Sequence, residues 1–432
     1  MLVVLESWSL GVLESWSLGV LELSIELATM FCRCCPVLYS HGLAPPILGL
    51  GFRHKGTTCL ILPDTMTTAT YFTLPTLLFL LFTAPAAAQN EPIYPADQPR
   101  LVHLWHRTAD ISPRLRAVEA AEFSPNGRYA ISGGKFGYNV FLWDVVDGTV
   151  VWENAHDSEV ECVTFSPDGK RAVTGGEDYF MRIWDVKTGA QLYAHEFTDA
   201  GIDGITWSPD GRYIVAGDEA GNAIFFDAKS YQQAGKINCG STINSLDFTA
   251  DGKLLAVGGN IQTPDPSGPG GNRYTGFARV IDVAKMSIIR SIPEQPGSIK
   301  SIRWSPDGKF LATGGFDNKT RLFDGNAGQL IREFDNPLKI EAVAFTPDGQ
   351  FLVTGGHALA INFYRMSDGE LALSYPSARV EYIDFSADGR LMLISSEDSG
   401  LLSCYLLQTD TQARGNYQQI ADEQLNNRDL GQ

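Results

Sequence analysis

Phe165-Ser-Pro-Asp-Gly169 is one of seven copies of a short string that decides how this chain folds. The other copies are Phe123-Ser-Pro-Asn-Gly127, Trp207-Ser-Pro-Asp-Gly211, Phe248-Thr-Ala-Asp-Gly252, Trp304-Ser-Pro-Asp-Gly308, Phe345-Thr-Pro-Asp-Gly349 and Phe385-Ser-Ala-Asp-Gly389. Proline presets the backbone for a turn, Asp or Asn bonds its own backbone, and Gly accepts the positive φ that closes a hairpin. Successive glycines are 42, 42, 41, 56, 41 and 40 residues apart. The chain is therefore a series of seven β-rich repeats.

Each turn is followed by an alternating apolar segment, a small-residue break and a third strand that ends at an aromatic or apolar residue. The third-strand ends are Trp143-Asp144, Trp184-Asp185, Phe226-Asp227, Ile281-Asp282, Phe323-Asp324, Tyr364-Arg365 and Tyr405-Leu406. A fourth strand follows in every repeat but the last, and Leu101–Trp105, ahead of the first repeat, is placed to supply it. A period near forty residues is typical of propeller blades, and closing the ring removes exposed sheet edges. We predict an all-β fold, a seven-bladed β-propeller over residues 101–408 closed by an N-terminal strand.

The turn string followed by a tryptophan-aspartate strand end resembles the WD40-repeat family across this region. The second repeat is the most complete, and the resemblance implies a hydrogen-bonded network of His156, Thr174, Asp178 and Trp184 inside its blade. The repeats are degenerate: Ala155 stands where the family has Gly, and most third strands end without Trp. A six-bladed propeller of the TolB type is the alternative fold.

The N-terminal residues have a sequence pattern different from that of the propeller repeats. Val4–Gly11 recurs without change at Val12–Gly19, and we interpret residues 1–65 as a doubtful upstream segment without structure. From Met66 the chain has a short polar start, an apolar run and an Ala-Ala-Ala site before Gln89, which is the layout of a signal peptide.

On this interpretation the chain consists of a signal peptide (66–88), a linker (89–100), the propeller and a polar C-terminal tail (409–432). It predicts a secreted or periplasmic protein without stable membrane insertion after cleavage, and an N-terminally anchored protein is the alternative. Cys162, Cys239 and Cys404 would remain in the exported chain. We interpret them as small buried hydrophobic residues, although one unassigned disulfide stays open.

A net charge of −17 disfavours nucleic acid as a partner. We identify no catalytic motif, no cofactor fingerprint and no metal site, so the expected protein is not an enzyme. His103 and His106 are three apart on a predicted strand, where side chains alternate between faces. We therefore expect them on opposite faces, unable to share a metal.

The functional prediction concerns the loops between the second and third strands of the blades. Aromatic side chains at loop tips are favoured anchors in protein interfaces, and the fourth repeat carries about 14 extra residues between Asn260 and Gly276, expected to form a long loop in which Gly268–Gly271 is irregular. We predict that a monomeric scaffold binds a protein or peptide there. The proposed contact residues are Phe136, Arg273, Tyr274, Phe316 and His357. The alternative is a propeller enzyme, or a small-ligand or metal-assisted sensor, with its site in the central funnel.

Overall fold

The computed structural model describes residues 52–54, 57–59, 99–107, 117–135, 137–198, 200–268, 271–396 and 401–408. These residues form thirty β-strands and no α-helix, so no described segment is a helix of the length and apolar character that crossing a bilayer requires. The chain divides into two compact units, residues 1–91 and 92–432. In the first unit, β1 (Phe52–His54) pairs antiparallel with β2 (Thr57–Cys59). The predicted signal peptide and C-terminal tail lie outside the described residues.

The second unit consists of seven four-stranded antiparallel sheets, which are the blades of a β-propeller. Blade one contains β4 (Val118–Phe123), β5 (Tyr129–Gly134), β6 (Asn139–Asp144) and β7 (Val150–Ala155). Blade two contains β8 (Val160–Phe165), β9 (Arg171–Gly176), β10 (Phe180–Asp185) and β11 (Gln191–Glu196). Blade three contains β12 (Ile202–Trp207), β13 (Tyr213–Asp218), β14 (Asn222–Asp227) and β15 (Gln233–Asn238). Blade four contains β16 (Ile243–Phe248), β17 (Leu254–Pro264), β18 (Asn272–Asp282) and β19 (Ser287–Pro296).

Blade five contains β20 (Ile299–Trp304), β21 (Phe310–Gly315), β22 (Lys319–Asp324) and β23 (Leu330–Asp335). Blade six contains β24 (Ile340–Phe345), β25 (Phe351–Gly356), β26 (Ala360–Arg365) and β27 (Leu371–Pro376). Blade seven contains β28 (Tyr382–Phe385), β29 (Leu391–Ser396), β30 (Leu401–Gln408) and, from the other end of the unit, β3 (Arg100–Arg107). The seven sheets confirm the predicted fold class and blade number.

The repeated turn forms as its residues predict. In blade two the Ser166 hydroxyl donates to Asp168 Oδ1 at 2.6 Å and accepts the Arg171 N–H at 3.0 Å. Gly169 closes the turn with φ of 66°. Residues with a Cβ adopt this backbone conformation only at a cost in conformational energy. The string therefore fixes the hairpin between the first and second strands of the blade.

Apolar side chains between adjacent blades form the core. One cluster joins Cys162, Val173 and Ile183 of blade two to Ile202 and Ile214 of blade three, all of them buried. Gly175 lets the blades approach, since a Cβ there would lie 2.9 Å from Ile202 Cγ2. Cys162, Cys239 and Cys404 are buried free thiols, in agreement with their interpretation as small core residues.

The β3 strand completes blade seven by pairing antiparallel with β30. Its Trp105 also reaches the first blade, where the indole N–H donates to the Val145 carbonyl at 2.7 Å. Trp152, on the fourth strand of blade one, donates in the same way to Val186 of blade two at 2.8 Å. The β3 strand, which precedes the repeats, therefore makes the same indole-to-carbonyl contact with the next blade as the fourth strand of blade one.

A bulge in β3 changes which side chains share a face. The register with β30 shifts between His103 and Trp105, so the strict alternation that predicted opposite faces is interrupted. His106 Nδ1 lies 3.3 Å from His103 Nε2. The expectation that the two imidazoles are kept apart was therefore wrong.

Most of the extra residues of blade four form a regular hairpin instead of the expected long loop. The strands β17 and β18 pair without a break from Leu254–Asp282 to Pro264–Asn272. Asp265 begins the turn, where its backbone carbonyl accepts the Gly268 N–H at 2.9 Å and its carboxylate accepts the Ser267 N–H at 3.0 Å. The segment therefore extends the second and third strands beyond those of the other blades.

Candidate binding face and central channel

The four side chains of the predicted network meet inside blade two. His156 Nδ1 lies 3.0 Å from Asp178 Oδ1, and His156 Nε2 lies 2.7 Å from Thr174 Oγ1. The Trp184 indole donates to the same Thr174 hydroxyl at 2.9 Å. Burial lowers the pKa of His156, against the opposing effect of Asp178. The network ties the loop before the first strand to the second and third strands, which is a structural arrangement.

Sequence reasoning missed a fifth member of this network. Arg182, buried on the third strand, donates to Asp178 Oδ2 and lies 2.7 Å from His156 Nδ1. Arg182 lies four residues after Asp178, and Arg321 of blade five lies four residues after Asp317. This repeated spacing is the sequence signal for a fifth member. The guanidinium neutralises a carboxylate that is otherwise costly to bury.

Blade five contains a variant of the network in which Gln295 occupies the position of His156. The Thr313 hydroxyl and Arg321 Nη1 each donate to Gln295 Oε1 at 3.0 Å. Arg321 Nη2 also lies 2.6 Å from Asp317 Oδ2. The family resemblance drew attention to His156, and the glutamine that performs the same bridging was not identified from the sequence.

The loop face, formed by the loops between the second and third strands of the blades, has one equivalent residue in each of six blades. Each such residue donates its backbone N–H to the carbonyl of the residue before the first strand of its blade. The residues are Lys135, Glu177, Glu219, Asn260, Phe316 and His357. Blade one therefore presents Lys135 at this position where Phe136 had been chosen, and Phe136 lies outside the described residues. In blade four the position belongs to Asn260.

Three of the predicted contact residues come together beside the blade-four hairpin. Arg273 and Tyr274 lie on β18, and they line a groove of about 720 Å³ together with Phe316 of blade five. Tyr274 is 38% exposed. His357 lies one blade further on, with Nε2 2.8 Å from Glu341 Oε1. The structure thus groups Arg273, Tyr274 and Phe316, and it separates His357 from their groove.

The groove carries positive charge that sequence reasoning did not assign to it. Lys300 and Lys339 line it beside Phe316, and their ammonium nitrogens lie 5.8 and 4.2 Å from the centre of the Phe316 ring. Both distances are within the range of cation–π attraction. Lys300 is the second residue of its inner strand, and an alignment of inner strands would have revealed it. We call this surface the cationic groove.

The opposite side of the channel mouth is acidic. Its carboxylates, which we call the acidic sector, come from blades one to three: Glu119, Glu159, Glu161, Glu177, Asp203 and Glu219. Lys135 offsets part of this charge, with Nζ 3.2 Å from Glu119 and 3.6 Å from Glu159. Burial, together with Glu119 and Asp203, raises the pKa of Glu161 to about 9. Burial raises the pKa of Asp203 to about 7, against the effect of Lys300.

Three residues of the acidic sector are close enough to share one cation. One carboxylate oxygen from each of Glu177, Asp203 and Glu219 lies within 4.8 Å of the others. None of the three was predicted to bind a metal, and they come from two blades and three separate segments of the sequence. Their shared positions at the inner ends of adjacent blades are the only sequence signal that connects them.

Deeper in the channel, buried carboxylates join neighbouring blades. Glu122 accepts the Phe165 N–H at 3.0 Å, and Asp384 accepts the Phe123 N–H at 2.7 Å. Burial raises the pKa of Glu122 to about 8 and that of Asp384 to about 6. These groups are committed to bonds between blades, so we assign them a structural role.

Comparison with known proteins agrees with the repeats. The family described as "WD domain, G-beta repeat" matches residues 148–185, 187–227, 286–324 and 328–359. The chain is 49% identical to Actin-interacting protein 1 of Drosophila melanogaster over 39 residues, which are 9% of this chain and 6% of that protein. It is 30% identical to the human F-box-like/WD repeat-containing protein TBL1Y over 92 residues, which are 21% of this chain and 15% of that protein.

The matched segments therefore cover less than a sixth of either relative. Each family match begins near the fourth strand of one blade and ends near the third strand of the next, as expected for a repeat that joins adjacent blades. Together with the seven-bladed ring, these matches show that the propeller contains WD40 repeats at four positions.

Proposed function

We propose that this protein is an exported scaffold that binds a protein or peptide partner through the loop face around the β17–β18 hairpin. A WD40 propeller is consistent with a protein-interaction scaffold. The observation that carries the proposal is the groove in which Arg273, Tyr274 and Phe316 meet beside a hairpin that extends one blade. Aromatic and arginine side chains are enriched among the residues that dominate binding energy. The role is one of binding and not of catalysis.

The binding site can be tested by partner capture. The purified protein is immobilised and exposed to extract of the source cells, alongside the variants Tyr274→Ala and Phe316→Ala. Loss of a hot-spot aromatic costs about 2 kcal/mol or more, so recovery of a specific partner should fall strongly with each variant. Leu371→Ala is the matched control, because this residue is 52% exposed on the outer edge of blade six. Recovery that does not change in either aromatic variant would contradict the proposed face.

Export is supported by the signal-peptide layout of residues 66–88. The mature chain should begin at Gln89, in a secreted or periplasmic protein. N-terminal sequencing of protein purified from its native source tests this directly. An intact segment beginning at Met66 would favour the anchored alternative, and a start at Met1 would exclude both.

The alternative function is a cation-assisted sensor, and the convergence of Glu177, Asp203 and Glu219 is the observation that bears on it. Carboxylate oxygens are the ligands that Ca²⁺ prefers. Calorimetric titration with calcium chloride should give saturable binding if this alternative holds, and the Glu177→Gln variant should abolish it. Partner capture that is insensitive to calcium, with no heat of binding, would leave the scaffold as the function.

A further inference from the structure

We propose that the cationic groove recognises an acidic peptide segment, one that carries carboxylates next to an apolar side chain. This inference rests on the proposed function and adds the chemistry of the partner. A groove that combines lysines, an arginine and aromatic rings stands out on a chain whose net charge is −17. Complementary charge across an interface gives specificity and speeds association.

The cations of the groove are available to a ligand. Within the part of the chain that the structure describes, the Lys339 ammonium makes no hydrogen bond or ion pair, and its side chain is exposed. Arg273 has one distant ionic neighbour, with Nε 3.8 Å from Asp265 Oδ2, and its side chain is 72% exposed. Lys300 lines both the groove and the channel mouth. Carboxylates of a ligand can therefore meet Lys339 and Arg273 without displacing a close internal ion pair, whereas Lys300 also faces Glu341 and Asp203 inside the channel mouth.

The groove also has a rigid polar floor. The Asn244 side chain donates to the Ile299 carbonyl at 2.6 Å and to Ser298 Oγ at 3.0 Å. The Ser298 hydroxyl in turn donates to Asn260 Oδ1 at 3.0 Å. Side chains held in this way lose little freedom on binding, and a preorganised site binds more tightly for the same contacts.

The aromatic side chains give the groove its apolar component. Phe316 lies under Lys339, and Tyr274 stands on the hairpin with 38% of its surface exposed. A flat ring offers a large contact area at low entropic cost. We therefore expect the best ligand to place an apolar side chain against these rings while its carboxylates reach the lysines.

The acidic sector favours a peptide over a nucleic acid. Glu159 and Glu177 lie across the same channel mouth that Lys300 lines. A long polyanion that continued beyond the groove would meet these carboxylates and be repelled. A peptide whose acidic residues lie within a short segment can bind in the groove without reaching these carboxylates. We therefore expect its negative charge to span no more than the length of the groove.

The experiment is fluorescence anisotropy with the purified protein and four labelled probes. They are a peptide of alternating Glu and Leu, its Gln and Lys counterparts, and an oligo-dT strand. We expect the Glu peptide to bind, with affinity falling as salt rises from about 50 to 300 mM. The Gln peptide should bind about tenfold more weakly, because charge-assisted hydrogen bonds are lost. Equal binding of Glu and Gln peptides, or tighter binding of oligo-dT, would overturn the proposal.

Two charge-reversal variants locate the site. Lys339→Glu should weaken binding of the Glu peptide about tenfold or more. Lys187→Glu, an exposed lysine in a turn on the opposite side of blade two, is the matched control and should leave binding unchanged. Equal loss in both variants would show a general charge effect and reject the groove.

Failure of this inference can be told apart from failure of the proposed function. If partner capture depends on Phe316 but is unaffected by Lys339→Glu, the scaffold stands and its ligand is not acidic. If capture depends on neither residue, the binding face itself is wrong. A native partner displaced by the Glu peptide and not by the Gln peptide would support both.

Discussion

Blade two and blade five share three of the five network residues in their interiors and differ in charge where they face the channel. Inside, equivalent positions carry the same residue types: Thr174 with Thr313, Asp178 with Asp317, and Arg182 with Arg321. At the channel, Glu161 is replaced by Lys300 and Glu177 by Phe316. The interior holds three strands together, so its geometry tolerates little change. The channel positions do not hold strands together. Their side chains can therefore vary between blades, and binding properties can vary with them.

The largest expected effect tests whether the two interiors contribute equally to stability. Trp184 and Phe323 are the equivalent buried third-strand residues, 3% and 2% exposed. Trp184→Ala and Phe323→Ala should each reduce the free energy of unfolding by about 3–5 kcal/mol, because each leaves a cavity. Trp184→Ala should cost about 1 kcal/mol more, since Thr174 also loses its indole donor. Urea denaturation measures both, and a cost below about 1 kcal/mol for Phe323→Ala would break the comparison.

The second prediction concerns the buried ion pairs. Asp178→Ala should lower the free energy of unfolding by about 3 kcal/mol, because Arg182 loses its buried carboxylate partner. Asp317→Ala should cost less, because Arg321 keeps Glu333 Oε2 at 2.9 Å. Asp157 is the control, since its carboxylate lies 3.5 Å from Arg182 but is 90% exposed. Asp157→Ala should cost at most about 1 kcal/mol. Similar costs for Asp157→Ala and Asp178→Ala in the same denaturation experiment would contradict this interpretation.

The third prediction sharpens the contrast at the channel. Burial and nearby carboxylates raise the pKa of Glu161 from its ordinary 4.5 to about 9, so folding takes up a proton at neutral pH. The neutral Glu161 carboxyl is tolerated by the fold at acid pH. The free energy of unfolding therefore falls as the pH rises from 4.5 toward about 9. Glu161→Gln should therefore stabilise the fold at pH 8 by about 1–2 kcal/mol, with a smaller gain near pH 5.

The equivalent change in blade five, Lys300→Gln, should have the opposite sign. It removes the cation that lowers the pKa of both Glu161 and Asp203, so we expect a loss of about 1–2 kcal/mol at pH 8. Thermal unfolding of both variants at several pH values is the measurement. Shifts of the same sign would show that the two channel faces are not electrostatically opposed.

The smallest effect comes from making blade two resemble blade five. His156→Gln should change the free energy of unfolding by about 1 kcal/mol at pH 7.5, since Gln295 shows that an amide can bridge the network. Burial lowers the pKa of His156 below its ordinary 6.5, so the unfolded chain binds the proton more strongly. Wild-type stability should fall as the pH drops below 6.5, and the variant should lose this part of the pH dependence. Parallel pH profiles for the two proteins would contradict the role of His156.

The sequence predicted the ring because the turn string is local chemistry repeated at a constant period. Blade number and the strand ends required no knowledge of distant contacts. The blade-four segment was interpreted as a loop because it is rich in proline and glycine, such as Pro264, Pro266 and Gly268. These three residues occupy the end of β17 and the turn that follows it, which only the pairing of β17 with β18 makes evident.

The candidate site was predicted less completely than the fold. Arg273, Tyr274 and Phe316 were chosen from their predicted loop positions, and they do line one groove. Lys300 and Lys339 were missed because each belongs to the inner end of a different blade, and a shared groove depends on the curvature of the ring. The bulge in β3 was missed for a similar reason, since register shifts are set by the partner strand.

The pairing of β3 with β30 has a consequence for how the chain is synthesised. Arg100 pairs with Gln408, so the first strand of the propeller to leave the ribosome has to wait for the last before its sheet can form. The entropy of closing so long a loop grows only slowly with length, but the delay leaves two strand edges open throughout translation. Such edges are sites of aggregation in incomplete chains. A nascent chain that stopped short of β30 would have all of its other blades and still be unable to mature.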